Sequence, residues 1–264
     1  MKITNEDIKD NTLVLRCWDE YIAFINKHKQ ELKGCIYRGQ QDPDWRLTPS
    51  FFRFMPEHLN SEQLQNLAQN HHLPNFRTYT RGRHGMSYTD PNDNDENWWA
   101  LGQHYGLATP LLDWVRSPYV AAFFGLIADC DTKSRAIFIL DIEKIIKKSI
   151  SGNGGTADDQ KIRVVDPLTH ENKRLVSQQG IFTYINDYRY RNIESYLSEF
   201  QGSCKEELFL LKITIPSSER QRVLEQLDLM NINQSTLFPD LSGSAEYSNY
   251  LLKERASSNN ISST

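Results

Sequence analysis

Ser117-Pro118 leads into Tyr119-Val120-Ala121-Ala122-Phe123-Phe124-Gly125-Leu126, a run without one charged side chain. Serine before proline is the chemistry of a helix cap and first turn. A helix that is apolar on every side has no face to give to water, so the run must form a buried helix, with small residues that let neighbours approach closely. Arg135 to Ile142 is a β-rich run that reads as a strand, and two further strand patterns follow at Gly180 to Ile185 and Glu207 to Ile215. Before the buried helix, Thr12 to Lys33 reads as an amphipathic helix stopped by Gly34, and Cys35 to Gly39 as a short strand. Residues 60 to 84 carry a helical pattern, Trp98 to Leu101 reopens a helix, and Gly106 to Pro110 breaks it. A last amphipathic helix is expected over Ser217 to Met230. Ser151 to Gln160 reads as a polar, glycine-rich loop, and 256–264 as a frayed, disordered tail. The reading is an α+β fold in one domain, 1–255, with an N-terminal helix.

Several function classes are disfavoured by composition. The formal net charge is -4 over 264 residues, so no global basic field draws the molecule to nucleic acid or anionic lipid. No apolar run approaches the roughly 18 to 20 residues of a membrane span, and Met1-Lys2-Ile3-Thr4 does not open a signal peptide. Cys17, Cys35, Cys130 and Cys204 are scattered, without metal-ligand spacing, and read as reduced thiols of a cytoplasmic protein. No metal is expected.

Candidate chemistry gathers in two places. Arg38, at a strand end beside Gly39, is suited to a dinucleotide: guanidinium pairs bidentately with phosphate, and glycine lets a backbone come close. Its other reading is a structural ion pair with Asp113. His104, Thr109 and Asp113 come from one short stretch and can converge on a polar pocket walled by Tyr105 and Trp114, whose rings suit nicotinamide or adenine. His104 reads equally as a structural hydrogen-bonder, Asp113 as a cap, and Ser117 as a helix start. Arg77, Arg81, Arg83 and His84 with Phe76 and Tyr79, and Tyr188-Arg189-Tyr190-Arg191, form two basic-aromatic stretches. These read as solvated surface or as patches for single-stranded nucleic acid.

The blocks Tyr37-Arg38-Gly39-Gln40, Trp45-Arg46-Leu47-Thr48-Pro49-Ser50, Gln103 to Trp114, Ser117-Pro118 with Ala121 to Phe124, then Arg174, Gln179-Gly180, Phe182-Thr183 and Leu237 to Leu241 resemble in order the FRG domain family, named for a Phe/Tyr-Arg-Gly signature. Their layout is similar to that of the ADP-ribosyltransferase superfamily. The resemblance implies a mixed or antiparallel split sheet flanked by helices, and NAD as co-substrate of a glycosyl transfer. It implies Arg38, Asp113, Gln179 and His104 as catalytic residues, and Tyr37, Gly39, Gln40, Tyr105, Thr109, Trp114 and Ser117 as NAD-binding ones. Arg38 and Gln40 would hold phosphates and ribose, Trp114 or Tyr105 would stack the base, and Thr109 and Gln179 would fix the nicotinamide ribose. The implied role is a toxin or antiviral effector in the bacterial cytosol, restrained by an antitoxin or chaperone partner, that modifies an RNA or DNA base or a protein side chain.

Many such transferases carry a glutamate on the late strand, where this chain reads Ser177-Gln178-Gln179-Gly180. Glutamine can bond a ribose but supplies no negative charge against an oxocarbenium-like transition state. That leaves Asp113, Glu206 or Glu207 to provide the carboxylate. A second reading is therefore a non-catalytic module that binds a nucleotide or nucleic acid in the same pocket, and a third is an interaction scaffold using Trp98-Trp99.

Overall fold

The protein is seen in a computed structural model that describes residues 8–83, 94–152, 161–167, 173–200 and 208–261. The expectations for His84, Cys204, Glu206, Glu207 and most of the Ser151 to Gln160 loop lie outside the described residues. The fold is a mixed α+β one. Strands β1 (Ile8–Lys9), β2 (Thr12–Val14), β3 (Ile36–Gln40), β4 (Leu111–Val115), β5 (Ser134–Leu140), β6 (Ile162–Val165), β7 (Gly180–Ile185) and β8 (Leu210–Pro216) form one sheet in the order β1-β2-β8-β5-β3-β4-β7-β6. Only β2 and β8 run parallel among these pairs.

The N-terminal expectation is corrected. Helix α1 spans Trp18–Lys27, while Thr12–Val14 is a strand, joined to β1 through Asp10 and Asn11, both at positive φ. Two left-handed residues make the turn whose twist matches a hairpin. Leu13 and Leu15 fit alternation as well as a helical stripe, and pairing of Leu13 with Ile213 settles the choice.

Strand β5 shows why the sheet is buried on both faces. Ile137 and Ile139 enter the core beneath α1, α6 (Pro118–Leu126) and α10 (Arg220–Leu229), whereas Ala136, Phe138 and Leu140 enter the opposite core with α7 (Ile142–Gly152) and α9 (Ile193–Phe200). Successive strand residues point to opposite faces, so a strand covered twice reads as an unbroken apolar run. A third cluster packs α2 (Ser50–Phe54), α3 (Ser61–Asn66), α4 (Leu73–Tyr79) and α5 (Asp95–His104) against β4, β6 and β7. The chain continues through α8 (Lys173–Gln178) and α11 (Gln234–Leu237) to α12, which runs from Leu241 to Ile261 where a frayed tail was expected from 256.

The expected buried helix is α6. Ser117 caps it by accepting from the Val120 N–H at 3.3 Å, and Pro118 is its first residue. It follows β4 almost directly and turns back beneath β3. There the helix fixes the position of the strand: a Cβ on Gly39 would lie 1.9 Å from the Ala121 carbonyl oxygen and 2.3 Å from the Gly125 nitrogen. Gly39 thus serves close strand-on-helix packing, and it also stands on the lining of the cleft described below.

Among the described residues no helix is long and apolar enough to cross a membrane.

Candidate functional site

The sheet opens between β3 and β4. β3 pairs with β5 at five positions and β4 with β7 at five, yet β3 and β4 pair at one, Tyr37 opposite Val115. Beyond it the two strands diverge like the arms of a fork. A cleft of about 900 Å³ is lined by residues of both arms, by the segment from Gln41 to Arg53, by Gln103 and His104 of α5, by Arg174 and Gln178 of α8, and by Phe238.

Arg38 bridges the fork. Its Nη1 donates to the Asp113 backbone carbonyl at 2.8 Å and lies 3.6 Å from the Asp113 carboxylate. Burial pulls the guanidinium below its ordinary pKa, opposed by the Asp113 carboxylate. Its Nε is buried with no partner. The ion-pair reading therefore holds for one edge of the guanidinium and leaves another donor available.

Asp113 is fixed from a second side. Gln103 Nε2 donates to its Oδ1 at 2.6 Å, and the Thr109 hydroxyl donates to Gln103 Oε1. Thr109 is fully buried, its N–H bonded to the Ser50 hydroxyl at 2.9 Å, and it does not line the cleft. The expected contact of Thr109 with a ribose becomes an indirect one, a relay from Thr109 through Gln103 to Asp113. Gln103 was passed over because an amide in a run of polar and aromatic residues carries no chemical signature of its own.

His104 lines the cleft beside Tyr105, ring centroids 4.9 Å apart. Burial holds its pKa below the usual histidine value, and Arg174 acts in the same sense while Asp240 opposes. Tyr105 is 67% exposed and outside the lining, and Trp114 is 1% exposed with its indole N–H donated to the Thr183 hydroxyl at 2.9 Å. Neither offers a free ring face to the cleft, which corrects the expected stacking platform. The exposed aromatic on the lining is Trp45, presented by a turn in which Asp42 accepts from the Asp44 N–H at 2.9 Å. That turn is held in place through Gln41, whose carbonyl accepts from the Thr132 hydroxyl at 2.9 Å and from buried Arg135 at 3.3 Å.

Tyr37 contributes to the wall, but its ring is buried and its hydroxyl donates to the Leu32 carbonyl at 3.5 Å. Ser117 is absent from the lining and acts as the α6 cap. Gln179 is absent too: it is left-handed at φ 49°, as a residue ending a helix often is, and its carbonyl accepts from the Arg116 N–H at 3.1 Å. Its neighbour Gln178 lines the cleft instead, and its Nε2 donates to the Leu237 carbonyl at 3.0 Å. The site lies one residue from the expected position because helix α8 ends there.

Positive charge dominates the lining. Arg38, Arg46, Arg53 and Arg174 face one lining carboxylate, Asp113. Arg174 is paired with Asp240 and packs 5.6 Å from the Phe238 ring centroid, whereas Arg46 is exposed and has no acidic partner among the described residues. Arg46 and Arg174 stood inside the blocks quoted above, and their place in those blocks was the available signal. Phe238 belongs to the last of them.

The basic-aromatic stretches resolve differently. Tyr188 and Tyr190 are buried, Arg189 pairs with Asp187 at 2.7 Å, and Arg191 donates to the carbonyls of Pro56 and Leu59 at 2.9 Å each. That stretch is structural and presents no stacking surface. Arg77 pairs with Asp95 at 3.0 Å and lies over the Trp98 ring. Trp99 is buried, so Trp98-Trp99 is no exposed pair. Among the described residues no three His, Cys, Asp or Glu side chains cluster as a metal site.

The fork, its arginine and the helix beneath it coincide with a known unit. Residues 33–134 match the FRG domain. No curated protein and no solved structure matches the chain significantly. The FRG segment supplies both arms of the fork as far as Phe124, including Arg38, Gln103 and Asp113, while Arg174, Gln178 and Phe238 close the cleft from beyond it.

Proposed function

We propose that the cleft binds NAD and that the protein is an ADP-ribosyltransferase-like enzyme, with Asp113 as the carboxylate that the late strand lacks. The observation that carries this reading is Arg38, a half-buried guanidinium whose Nε has no partner, on a cleft lined by three further arginines. A pyrophosphate matches that need, since guanidinium groups bind phosphate oxygens through short charge-assisted hydrogen bonds. About 900 Å³ also lies in the range of small-molecule and cofactor sites.

Bound NAD would supply the C1′–N bond to nicotinamide, and its cleavage builds positive charge on the ribose. Asp113 answers that charge. Gln103 and Arg38 fix its orientation in advance, and a preorganised carboxylate stabilises a developing cation without reorganising. Trp45 offers a ring face to a base, and Arg46 and Arg53 add charge along the same wall. His104, its pKa lowered by partial burial and by Arg174, stands on the lining where its imidazole can take a proton from an incoming acceptor. The proposed setting is the bacterial cytosol, as a toxin or antiviral effector acting on a nucleobase or protein side chain.

Incubation with NAD followed by mass spectrometry tests this. Wild type releases nicotinamide, while Asp113→Asn binds NAD and leaves it intact. Expression of wild type arrests growth and Arg38→Ala does not. The second reading, a nucleotide-binding module without chemistry, is favoured by Arg38 lying 3.6 Å from Asp113, because a partly neutralised carboxylate is a weaker partner for a cation. It predicts bound, intact NAD with the wild type as well.

A further inference from the structure

Arg135 is a buried cation without a carboxylate to balance it. Its side chain is 1% exposed, and among the described residues it forms no ion pair. Nη2 donates to the Cys130 carbonyl at 3.0 Å and Nη1 to the Gln41 carbonyl at 3.3 Å, both of them neutral acceptors, and Nε has no partner. What remains is sulfur, since Nη1 also donates to Cys130 Sγ. A buried charge is costly unless something of opposite sign stands against it. Asp129 and Asp131 flank the cysteine in sequence but are exposed, so the sulfur is the group in contact that is able to carry negative charge.

A comparison within the chain sharpens the point. Cys35 is buried, burial pushes its thiol up to about 12, and its Sγ meets the Glu31 carbonyl at 4.0 Å. Cys130 is partly exposed and has a guanidinium at its sulfur. A partly exposed thiol beside an arginine is the setting in which cysteine reacts, because the thiolate is the nucleophile and the cation favours it.

The same guanidinium anchors the lip of the cleft. Gln41 directly follows Gln40, the last residue of β3, and both line the cleft. The Gln41 carbonyl, bonded by Arg135 and the Thr132 hydroxyl, roots the turn that presents Trp45 and Arg46. Farther along that turn, Lys212 Nζ donates to the Pro43 carbonyl at 3.1 Å.

We propose that Cys130 is an oxidation site, a thiolate held by Arg135 that reacts with hydroperoxides, and that its oxidation loosens the root of the turn carrying Trp45. The sulfur attacks one peroxide oxygen, so that an S–O bond forms as the O–O bond breaks. Sulfur is oxidised by two electrons and the peroxide is reduced. With hydrogen peroxide the leaving hydroxide takes a proton from solvent, and the products are a sulfenic acid and water. The new oxygen is a stronger acceptor for the guanidinium than a neutral carbonyl is, and it draws Arg135 away from Gln41. The turn keeps Thr132 and Lys212 and loses one of its ties. Nothing in this depends on what the cleft binds.

Hydrogen peroxide with dimedone, which traps sulfenic acids, followed by peptide mass spectrometry, tests the assignment on the native protein. In wild type the Cys130 thiol should be consumed about tenfold faster than glutathione in the same solution, with dimedone found on Cys130. A rate no faster than that of glutathione overturns the proposal without recourse to a variant. Arg135→Met should slow Cys130 about tenfold while Cys17, partly exposed and away from Arg135, reacts as before and reports an intact fold; an unchanged Cys130 rate overturns the role of the guanidinium. Hydrogen exchange at the Asp44 and Trp45 amides, both bonded within the turn, should quicken in oxidised wild type and not in peroxide-treated Cys130→Ser. Equal exchange before and after oxidation overturns the link to the turn.

Discussion

Strand β3 has two unlike edges. Toward β5 it is paired along its whole length, from Ile36 opposite Leu140 to Gln40 opposite Ala136. Toward β4 it is paired at Tyr37 alone. The closed edge is what lets the open edge exist: a strand anchored on one side, and pressed through Gly39 onto α6, can leave its other side to a cleft without losing its place. One five-residue strand is therefore scaffold along one edge and binding site along the other.

The comparison breaks most severely at Gly39. Gly39→Ala forces a methyl into the Ala121 carbonyl and Gly125 backbone, where no flexible side chain can yield. A loss of about 3 kcal/mol is expected, at the upper end for overpacking, and urea unfolding measures it. A change below about 1 kcal/mol would mean that β3 and α6 can separate.

Next comes the other arm. Trp114 ties β4 to β7 through Thr183, so that the sheet opens on the β3 side of β4. Trp114→Phe should cost about 2 kcal/mol by leaving a buried hydroxyl short of its donor, with amide protection lost first in β4. Unchanged stability would show that the indole hydrogen bond does not hold this arm.

The smallest effect is expected at the far rim. The Ser242 hydroxyl, the Gly243 N–H and Arg174 hold the Asp240 carboxyl well below the usual carboxylate range. A depressed carboxylate contributes stability that is present above its unfolded pKa, near 4, and is lost as pH falls through its folded value. Hydrogen exchange at Gly243 should therefore accelerate under strong acid and in Asp240→Ala at neutral pH. Slow exchange in the variant would detach this rim from the carboxylate.

How much of this was legible in the sequence depends on the kind of signal. Helix α6 was fully legible, because cap, proline and an all-apolar run agree with each other. The positions of Arg38 and Asp113 followed from short motifs and survive on the cleft. The fork was not legible, since divergence of two strands is a property of what packs beneath them and leaves no period in either. For the same reason Thr109 was expected at the ligand and lies behind it, bracing Gln103, while Trp114 is on the cleft lining with its ring covered and its N–H committed to Thr183. Gln179 is displaced because helix α8, which the linear reading did not anticipate, ends just before it, and the tyrosines of 188–191 by burial that alternating Tyr and Arg cannot announce.

Of the five tryptophans, Trp18, Trp99 and Trp114 are at most 1% exposed and Trp98 is partly covered, whereas Trp45 is 54% exposed on the lip of the cleft. The molecule thus contains its own optical reporter. Collisional quenching by acrylamide selects that single indole, and any occupant of the fork that shields it can be followed by fluorescence without attaching a dye.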